Sequence, residues 1–205
     1  MSDVLCVQWT IIPANAPEPW LNCNRCRGAT RFRTSGKIRM NANGKRVDAW
    51  LIYKCTSCDN TWNRPILERR HVSTIDPRLL ASLQANDPEL SRQLAFETLR
   101  RKLKMEHADD ATVRKEVVSE SARPACRLEI VCVVPETTGL RVDRLLATQL
   151  RLSRSRIQSM QNAGHLAASP KGLRRPLRNG LHVRIELRGV HDGDEIAFAA
   201  MGREA

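Results

Sequence analysis

Four of the seven cysteines in this 205-residue chain form two Cys-x-x-Cys pairs, Cys23 with Cys26 and Cys55 with Cys58. Thiolates are preferred zinc ligands, and four of them can surround the ion in the tetrahedral geometry of structural zinc sites. A single pair could instead be redox-active, but neither pair lies in the βαβ context of thioredoxin-like proteins. The spacing therefore predicts one closed Zn²⁺ site, with these four cysteines as its ligands.

The segment between the two pairs predicts the β-hairpin that would bring them together. Asn43-Gly44 suits a type I′ turn, which requires positive φ at both central residues, and the arms are expected at residues 37–42 and 45–54. WLIY (Trp50–Tyr53) has no polar face, which predicts a strand covered on both sides. This section resembles a zinc ribbon, and the resemblance implies a structural metal with closed coordination.

The remaining cysteines and the aromatic residues are assigned to the core. The other three cysteines lie in apolar, strand-like stretches, where thiols behave as small hydrophobes: Cys6, Cys126 and Cys132. Trp50, Tyr53 and Trp62 offer rings for stacking on bases. Because aromatic residues make up only 4% of the chain, they are expected to serve the core of the first section.

The middle of the chain predicts helices. Asp76-Pro77 and Asp87-Pro88 each place a capping carboxylate before a proline at the first helical position. The second helix is expected to run to Lys104, ending in the basic RRKLK segment. MEHADD (Met105–Asp110), at the end of this helix, is the densest cluster of histidine and acidic residues. It lacks a recognisable catalytic partner, so no catalytic constellation is found and an enzyme is not predicted.

The third section is strongly basic. Residues 141–188 contain eleven Lys or Arg residues and only two acidic residues, Asp143 and Glu186, so this stretch supplies about nine of the twelve net positive charges. One-signed charge at this density repels itself unless a polyanion is bound. Two amphipathic helices are expected here. The first buries Val142, Leu145, Leu146 and Leu150. The second, capped by Ser153 and closed by Gly164, buries Ile157, Met160 and Ala163.

The stretch LRVDRLLATQLRLSRSRIQSMQNAGHLAAS resembles the RNA-binding module of the ribosomal small-subunit protein S-four, also called the alpha-L motif. Arg141, Asp143, Leu145, Ser153, Arg154, Ser155, Gly164 and Leu166 match its pattern. The resemblance implies two helices and following strands that grip structured RNA. It weakens after Gly164, where the closing strand is expected either at GDEI (Gly193–Ile196) or near Asn179-Gly180. The implied RNA-binding residues are Arg141, Arg144, Arg151, Ser153, Arg154, Ser155, Arg156, Gln158, Lys171, Arg174 and Arg175.

These parts predict an α+β chain: a β zinc ribbon over 1–75, a helical connector over 76–122 and an S-four-like RNA-binding domain over 123–205. The whole chain also resembles an uncharacterised bacterial family that shares the NANGK, WLIYKC and TWN stretches. The predicted function is binding of structured ribosomal or transfer RNA, with the ribosome as a candidate partner. The alternatives are a zinc-ribbon transcription or protein-interaction factor, or an RNA-modifying enzyme.

The N-terminal segment MSDVLCVQWTII has no basic region before its apolar run, so it is not predicted to be a signal peptide. No stretch approaches the roughly 20 apolar residues of a membrane helix. We therefore expect a cytoplasmic protein without a membrane partner, in a compartment where cysteines stay reduced.

Overall fold

The computed structural model describes residues 3–97, 105–106, 110–120, 125–136 and 138–203. Within these ranges the chain is a mixed α+β protein, mostly strands, with five α-helices. In chain order the elements are β1 (Val4–Pro13), β2 (Glu18–Cys23), β3 (Gly28–Asn43), β4 (Arg46–Cys55), β5 (Thr61–His71), α1 (Pro77–Gln84), α2 (Pro88–Phe96), β6 (Met105–Glu106), β7 (Ala111–Ser119), β8 (Arg127–Val133), α3 (Val142–Gln149), α4 (Arg154–Asn162), β9 (Leu166–Ser169), β10 (Leu181–Glu186) and α5 (Gly193–Met201). None of these helices is long and apolar enough to cross a membrane.

The chain divides into two compact units, which differ from the three predicted sections. Unit 1 contains residues 1–15 and 108–205, and unit 2 contains residues 16–107. The N-terminal strand β1 belongs to unit 1 because it lies between β7 and β8, antiparallel to the first and parallel to the second. A boundary at residue 75 therefore does not describe the packing, since β1 pairs with strands about a hundred residues or more away.

Unit 1 is built on a five-stranded sheet in the order β7-β1-β8-β10-β9. Alternate residues of the central strands face one buried cluster, for example Trp9, Ile130 and Val183, all 0% exposed. The three helices α3, α4 and α5 contribute to the same cluster. The prediction of helix across 111–119 was wrong. Val113, Lys115 and Val117 alternate on one face of β7 and pair with β1, which is the period of a strand.

The predicted helix pair of unit 1 is present. Val142, Leu145, Leu146 and Leu150 are buried in α3, and Ile157 and Met160 are buried in α4. The Ser153 hydroxyl caps α4 by accepting a hydrogen bond from the Arg156 amide at 3.0 Å. Gly164, with φ of 80°, ends it in a Schellman motif, since the His165 amide donates to the Met160 carbonyl. Ala163, predicted as buried, is exposed.

The segment after Gly164 folds as β9, a loop over 170–180 and β10, and Asn179-Gly180 directly precedes β10. GDEI does not form the closing strand. It begins α5, where Ile196, Ala199 and Ala200 are buried at helical spacing. Gly193 is required there because a Cβ at this position would lie 2.9 Å from the Leu187 carbonyl oxygen.

Unit 2 is an antiparallel sheet in the order β5-β4-β3-β2-β6, with α2 packed on one face. Both predicted helix starts are present. The Asp76 carboxylate accepts hydrogen bonds from the amides of Arg78 and Leu79, and Asp87 caps α2 in the same way. The helix α2 ends at Phe96. Its predicted continuation over 98–104, including RRKLK, lies outside the described residues, as do residues 107–109 of MEHADD.

The hairpin β3–β4 forms, but its turn differs from the prediction. Asn43 pairs with Arg46, so the two loop residues are Gly44 and Lys45. Of the three residues 43–45, Gly44 alone has positive φ, at 59°, which excludes type I′ and is typical of the first position of type II′. The WLIY strand is fully buried on one side only: Leu51 and Tyr53 are buried, whereas Trp50 and Ile52 are partly exposed.

Candidate metal centre and basic surface

The four paired cysteines of unit 2 lie at one end of its sheet. Cys23 ends β2 and Cys26 lies in the turn to β3. Cys55 ends β4 and Cys58 lies in the turn to β5. Because β3 and β4 are neighbours, with Phe32 opposite Cys55, the two turns meet. The long insertion between the pairs is the β3–β4 hairpin itself.

The two Cys-x-x-Cys turns have the same backbone design. In each, the residue after the second cysteine takes a left-handed conformation, with φ of 53° at Arg27 and 57° at Asp59. In the second turn, the Asp59 amide donates to the Cys55 carbonyl at 3.1 Å, and the Cys55 amide donates to the Asn60 carbonyl at 2.8 Å. These bends turn the chain back into the next strand and bring both thiols of each pair close to those of the other pair.

The sulfur positions fit a single metal ion. All four Sγ atoms lie within 4.8 Å of one another. The Cys23–Cys58 and Cys26–Cys55 separations are 3.5 and 3.9 Å. A tetrahedron with metal–sulfur bonds of about 2.3 Å has edges of about 3.8 Å. The predicted cluster is therefore confirmed as a group of thiols close enough to hold a metal ion.

Hydrogen bonds shift the pKa values of the thiols in different directions. The Thr30 hydroxyl lies 3.3 Å from Cys55 Sγ, and this contact, with the Ser57 and Cys58 amides, lowers the pKa of Cys55 to about 6. The Cys26 amide lowers the pKa of Cys23. The contact with Cys58 raises the pKa of Cys26 to about 12. A metal ion that takes all four thiolates must therefore displace protons on binding.

Nine of the eleven predicted RNA-binding residues of unit 1 fall into two groups. The first surrounds the start of α3, where the loop over 170–180 is pinned by backbone hydrogen bonds. The Asp143 amide donates to the Leu173 carbonyl at 2.8 Å, and the Val142 amide donates to the Arg175 carbonyl at 3.1 Å. Because Leu173 and Leu177 are buried beneath it, the loop presents its cations to solvent beside Arg141: Lys171, Arg174 and Arg175.

A cavity of about 290 Å³ lies within this first group, lined by Val142, Pro170, Gly172, Arg175, Pro176, Arg178 and Leu181. Arg175 Nη1 donates to the Lys171 carbonyl at 3.0 Å, which holds that side chain against the loop. Arg178 is exposed at the cavity and was not assigned a role from the sequence. Its position depends on the loop path, for which the sequence offers no signal.

The second group lies at the corner between α3 and α4 and contains Arg151, Ser153, Arg154, Ser155 and Arg156. The Ser153 hydroxyl is occupied as the helix cap and lies 2.8 Å from the Ser155 hydroxyl. The two groups are separated by the length of α3, about 12 Å for eight residues. Gln158 lies further along α4 and donates to Gln161 and Asn162.

Carboxylates neutralise three of the predicted arginines. Arg141 pairs with Asp143 at 2.5 Å, Arg156 with Asp192 at 2.6 Å, and Arg144 lies 3.9 Å from Asp110. Asp110 and Asp192 lie outside the 141–188 stretch, so the fold supplies acidic partners that local charge counting missed. Among the described residues, five predicted cations have no carboxylate within 4 Å: Arg151, Arg154, Lys171, Arg174 and Arg175.

Sequence comparison places this geometry in a family context. A family model described as "Protein of unknown function (DUF1062)" matches residues 40–171. The match begins in β3, after Cys23 and Cys26, and ends at the start of the loop over 170–180, so it includes parts of both units. No curated protein and no solved structure matches the chain.

Proposed function

The chain belongs to the DUF1062 family of proteins of unknown function, and from its own residues we propose that it is an RNA-binding accessory protein. Its target is structured RNA of the ribosomal or transfer type. The basic surface of unit 1 binds the RNA backbone, and a structural Zn²⁺ held by unit 2 maintains the fold of that unit.

The observation that carries the proposal is the exposure of cations without acidic partners on unit 1. Arg151 and Arg154 lie at one end of α3, and Lys171, Arg174 and Arg175 lie at the other. Guanidinium groups bind phosphates by paired hydrogen bonds. Two cationic groups about 12 Å apart can contact separate parts of one folded RNA, so the affinity depends on backbone shape more than on base identity.

The order of elements supports the finer prediction of an S-four-type fold for this part of the chain. Two packed helices, α3 and α4, are followed by the short strand β9 and by β10, which pairs with it. Arg154 lies in the first turn of α4, where free amides and the helix dipole favour an anion. This arrangement lets a phosphate contact the helix terminus and the Arg154 side chain together.

Zinc is the metal that best suits the thiol cluster of unit 2. Four cysteine sulfurs form the tetrahedral set of structural zinc sites, and among the described residues no His, Asp or Glu joins them. A closed set of four ligands leaves no position for a reactive water. The ion therefore stabilises the two turns, in the manner of a zinc ribbon, and no catalytic role is proposed for it.

A binding assay with substitutions in both cationic groups tests the RNA proposal. Fluorescence anisotropy would follow a labelled transfer RNA or ribosomal helix junction over a range of salt concentrations. Arg154→Ala and Arg174→Ala should each weaken binding across RNA sequences and reduce the salt slope by about 0.7 to 0.9 for each phosphate that is no longer neutralised. Arg184→Ala is the matched control. Arg184 lies on the face of the unit 1 sheet that is opposite to the buried cluster, and its Nε lies 3.5 Å from Glu129 Oε1. Its removal should leave the salt slope unchanged.

Unchanged affinity and salt slope in an Arg141/Arg154 double alanine variant would contradict the proposal. Duplex DNA provides the comparison between classes of partner. Tighter binding to duplex DNA than to structured RNA, with the same arginine dependence, would favour the transcription-factor alternative.

A further inference from the structure

The two faces of the unit 2 sheet have different compositions. One face is the core, where Phe32, Leu51 and Tyr53 pack with Leu94 and Ala95 of α2. We call the other the outer face. The strand register places on it Trp20 of β2, Arg33 and Arg39 of β3, Trp50 and Lys54 of β4, and Pro65 of β5. All of these residues are partly or fully exposed.

Trp50 lies near the middle of the outer face. Arg39 of β3 is its partner on one side and Pro65 of β5 on the other. Directly paired residues on neighbouring strands have Cβ atoms about 5 Å apart, so Arg39 and Pro65 are the cross-strand neighbours of Trp50 on this face. Tyr53 and Trp62 belong to the core face instead, where their ring centroids are 5.2 Å apart.

Further cations lie along the same face. Arg33 pairs with Lys54, four residues beyond Trp50 in β4, and Trp20 pairs with Arg31 on the other side of β3. The face also carries Arg46, and among the side chains that the structure describes two carboxylates lie on it, Glu18 and Asp48. Glu18 is shared by Arg33 at 2.6 Å and Arg31 at 3.8 Å, and Asp48 accepts a hydrogen bond from the Arg69 amide at 2.8 Å. In the described chain, Arg39, Arg46 and Lys54 have no carboxylate within 4 Å, so the outer face is net positive.

We propose that the outer face of the unit 2 sheet binds a single-stranded stretch of nucleic acid, with a base stacked on Trp50 and the backbone on Arg39 and Lys54. This surface is separate from the arginine groups of unit 1, and it extends the proposed function by assigning unpaired nucleotides to unit 2. Alternating cations and aromatic rings on an open sheet suit single strands, since every base offers a ring face for stacking. The competing occupant is an acidic protein segment, which would use the cations but not the indole face.

Tryptophan fluorescence of the full chain tests the proposal directly. Oligo(U) and oligo(A) strands of about ten nucleotides should quench the emission of the wild-type protein, and Trp50→Phe should remove most of that quenching. Trp62→Phe is the matched control, because Trp62 lies on the core face, and it should retain the quenching. In anisotropy measurements Trp50→Leu should weaken oligonucleotide binding at least about fivefold, and Arg39→Ala should make the salt slope shallower by about 0.7.

Several outcomes would overturn the inference. Absence of quenching by either oligonucleotide would do so, as would equal loss of quenching in Trp50→Phe and Trp62→Phe. Equal quenching by polyglutamate would assign the face to an acidic protein segment. If Trp50→Leu lost its bound metal, its weaker binding could reflect unfolding. The salt slope of Arg39→Ala would then test the proposal, because Arg39 is exposed and its substitution leaves the core face intact.

The inference and the proposed function fail separately. An Arg154→Ala/Arg174→Ala double variant should lose structured RNA but keep the quenching by oligo(U). If the wild-type chain bound oligo(U) through Trp50 and did not bind structured RNA, the proposed function would fail and the outer face would stand. If the chain bound structured RNA but oligonucleotides caused no quenching that depends on Trp50, only the proposal for the outer face would be overturned.

Discussion

The two units of the chain obtain their order from different sources. Unit 1 has a large apolar cluster that draws on three helices and on β1, β8, β9 and β10. Unit 2 has a small one, consisting of Cys23, Phe32, Leu51, Tyr53, Cys55, Leu94 and Ala95. Two of these seven buried residues are members of the thiol cluster. Unit 1 can therefore fold by burial of apolar surface, whereas the proposed metal would add a cross-link to unit 2 that offsets part of its chain entropy.

The two units also differ in the arrangement of their polar groups. In unit 2 the sulfur atoms converge on one point, so the loss of any one should affect the whole unit. In unit 1 the cations lie on the surface in two groups, so each should contribute a separate increment. Four sets of substitutions would test this contrast between the units.

Removal of the metal should have the largest effect and should be confined to unit 2. Cys55→Ser or treatment with a strong chelator should unfold residues 16–97, because binding of a structural metal is coupled to folding. Hydrogen exchange monitored by mass spectrometry should show loss of protection in β3 and β4 while β8 and β10 stay protected. Metal analysis should find about one zinc per wild-type chain. Cys6→Ser, in β1 of unit 1, should leave that content unchanged. Equal protection of unit 2 with and without metal would remove the distinction between the units.

The reverse experiment places a charge in the core of unit 1. Ile157 is 0% exposed, and Ile157→Asp should destabilise unit 1 by about 3 to 5 kcal/mol because the carboxylate has no buried partner. Denaturant unfolding should show this loss, and the metal content of unit 2 should be retained. Ser159→Asp, at an exposed position of the same helix, is the control with the same added charge. Coupled unfolding of both units would show that they are not independent.

Lys115 provides a smaller test of how unit 1 holds its helices. Its ammonium group donates to the Gln149 carbonyl at 3.1 Å and the Ala199 carbonyl at 2.7 Å, at the C-terminal ends of α3 and α5. Burial lowers its pKa, yet it also lies 5.1 Å from the Trp9 ring centroid. Lys115→Met should cost about 1 to 3 kcal/mol, because the Gln149 carbonyl loses the Lys115 donor and the Ala199 carbonyl keeps only the Gly202 amide. Lys171→Met, at the exposed loop, should not change unfolding. Equal stability of the two variants would mean that the carbonyls find water instead.

The smallest effect is expected at the Arg156–Asp192 pair. The hydrogen bond from Arg156 lowers the pKa of Asp192. A depressed pKa in the folded state adds stability above the unfolded value near 4, and this stability is lost as the pH falls through the folded value. Asp192→Asn should remove that part of the acid dependence of unit 1. The effect is small because the Arg156 side chain is 42% exposed. An identical acid-unfolding profile for the wild type and Asp192→Asn would show that the pair adds nothing.

The same pair decides the role of Arg156. If its main contact is Asp192, Arg156→Ala should alter stability and leave the RNA salt slope nearly unchanged, unlike Arg154→Ala. The distinction follows from tertiary structure, since Asp192 lies 36 residues from Arg156.

Local sequence determined the features that depend on neighbouring residues. The Asp76 and Asp87 caps, the Ser153 cap and the Gly164 stop each rest on contacts within a few residues, and all four were predicted. The thiol cluster was also predictable, because two Cys-x-x-Cys turns leave few ways to arrange four sulfurs around one ion. The buried stripes of α3 and α4 followed from helical periodicity, apart from Ala163, which is the C-cap residue of α4.

Features that depend on pairing between distant segments were visible only in the tertiary structure. Nothing in VLCVQWTII indicates that β1 pairs with β7 and β8 rather than with the strands that follow it. The helical connector predicted over 76–122 included residues 111–119, which instead pair with β1 as a strand. GDEI was one of two candidates for the closing strand and instead begins α5. The tertiary structure also brings Asp110 close to Arg144 and Asp192 close to Arg156. Strand pairing and ion pairing between distant segments depend on the fold of the whole unit, so a local pattern does not specify them.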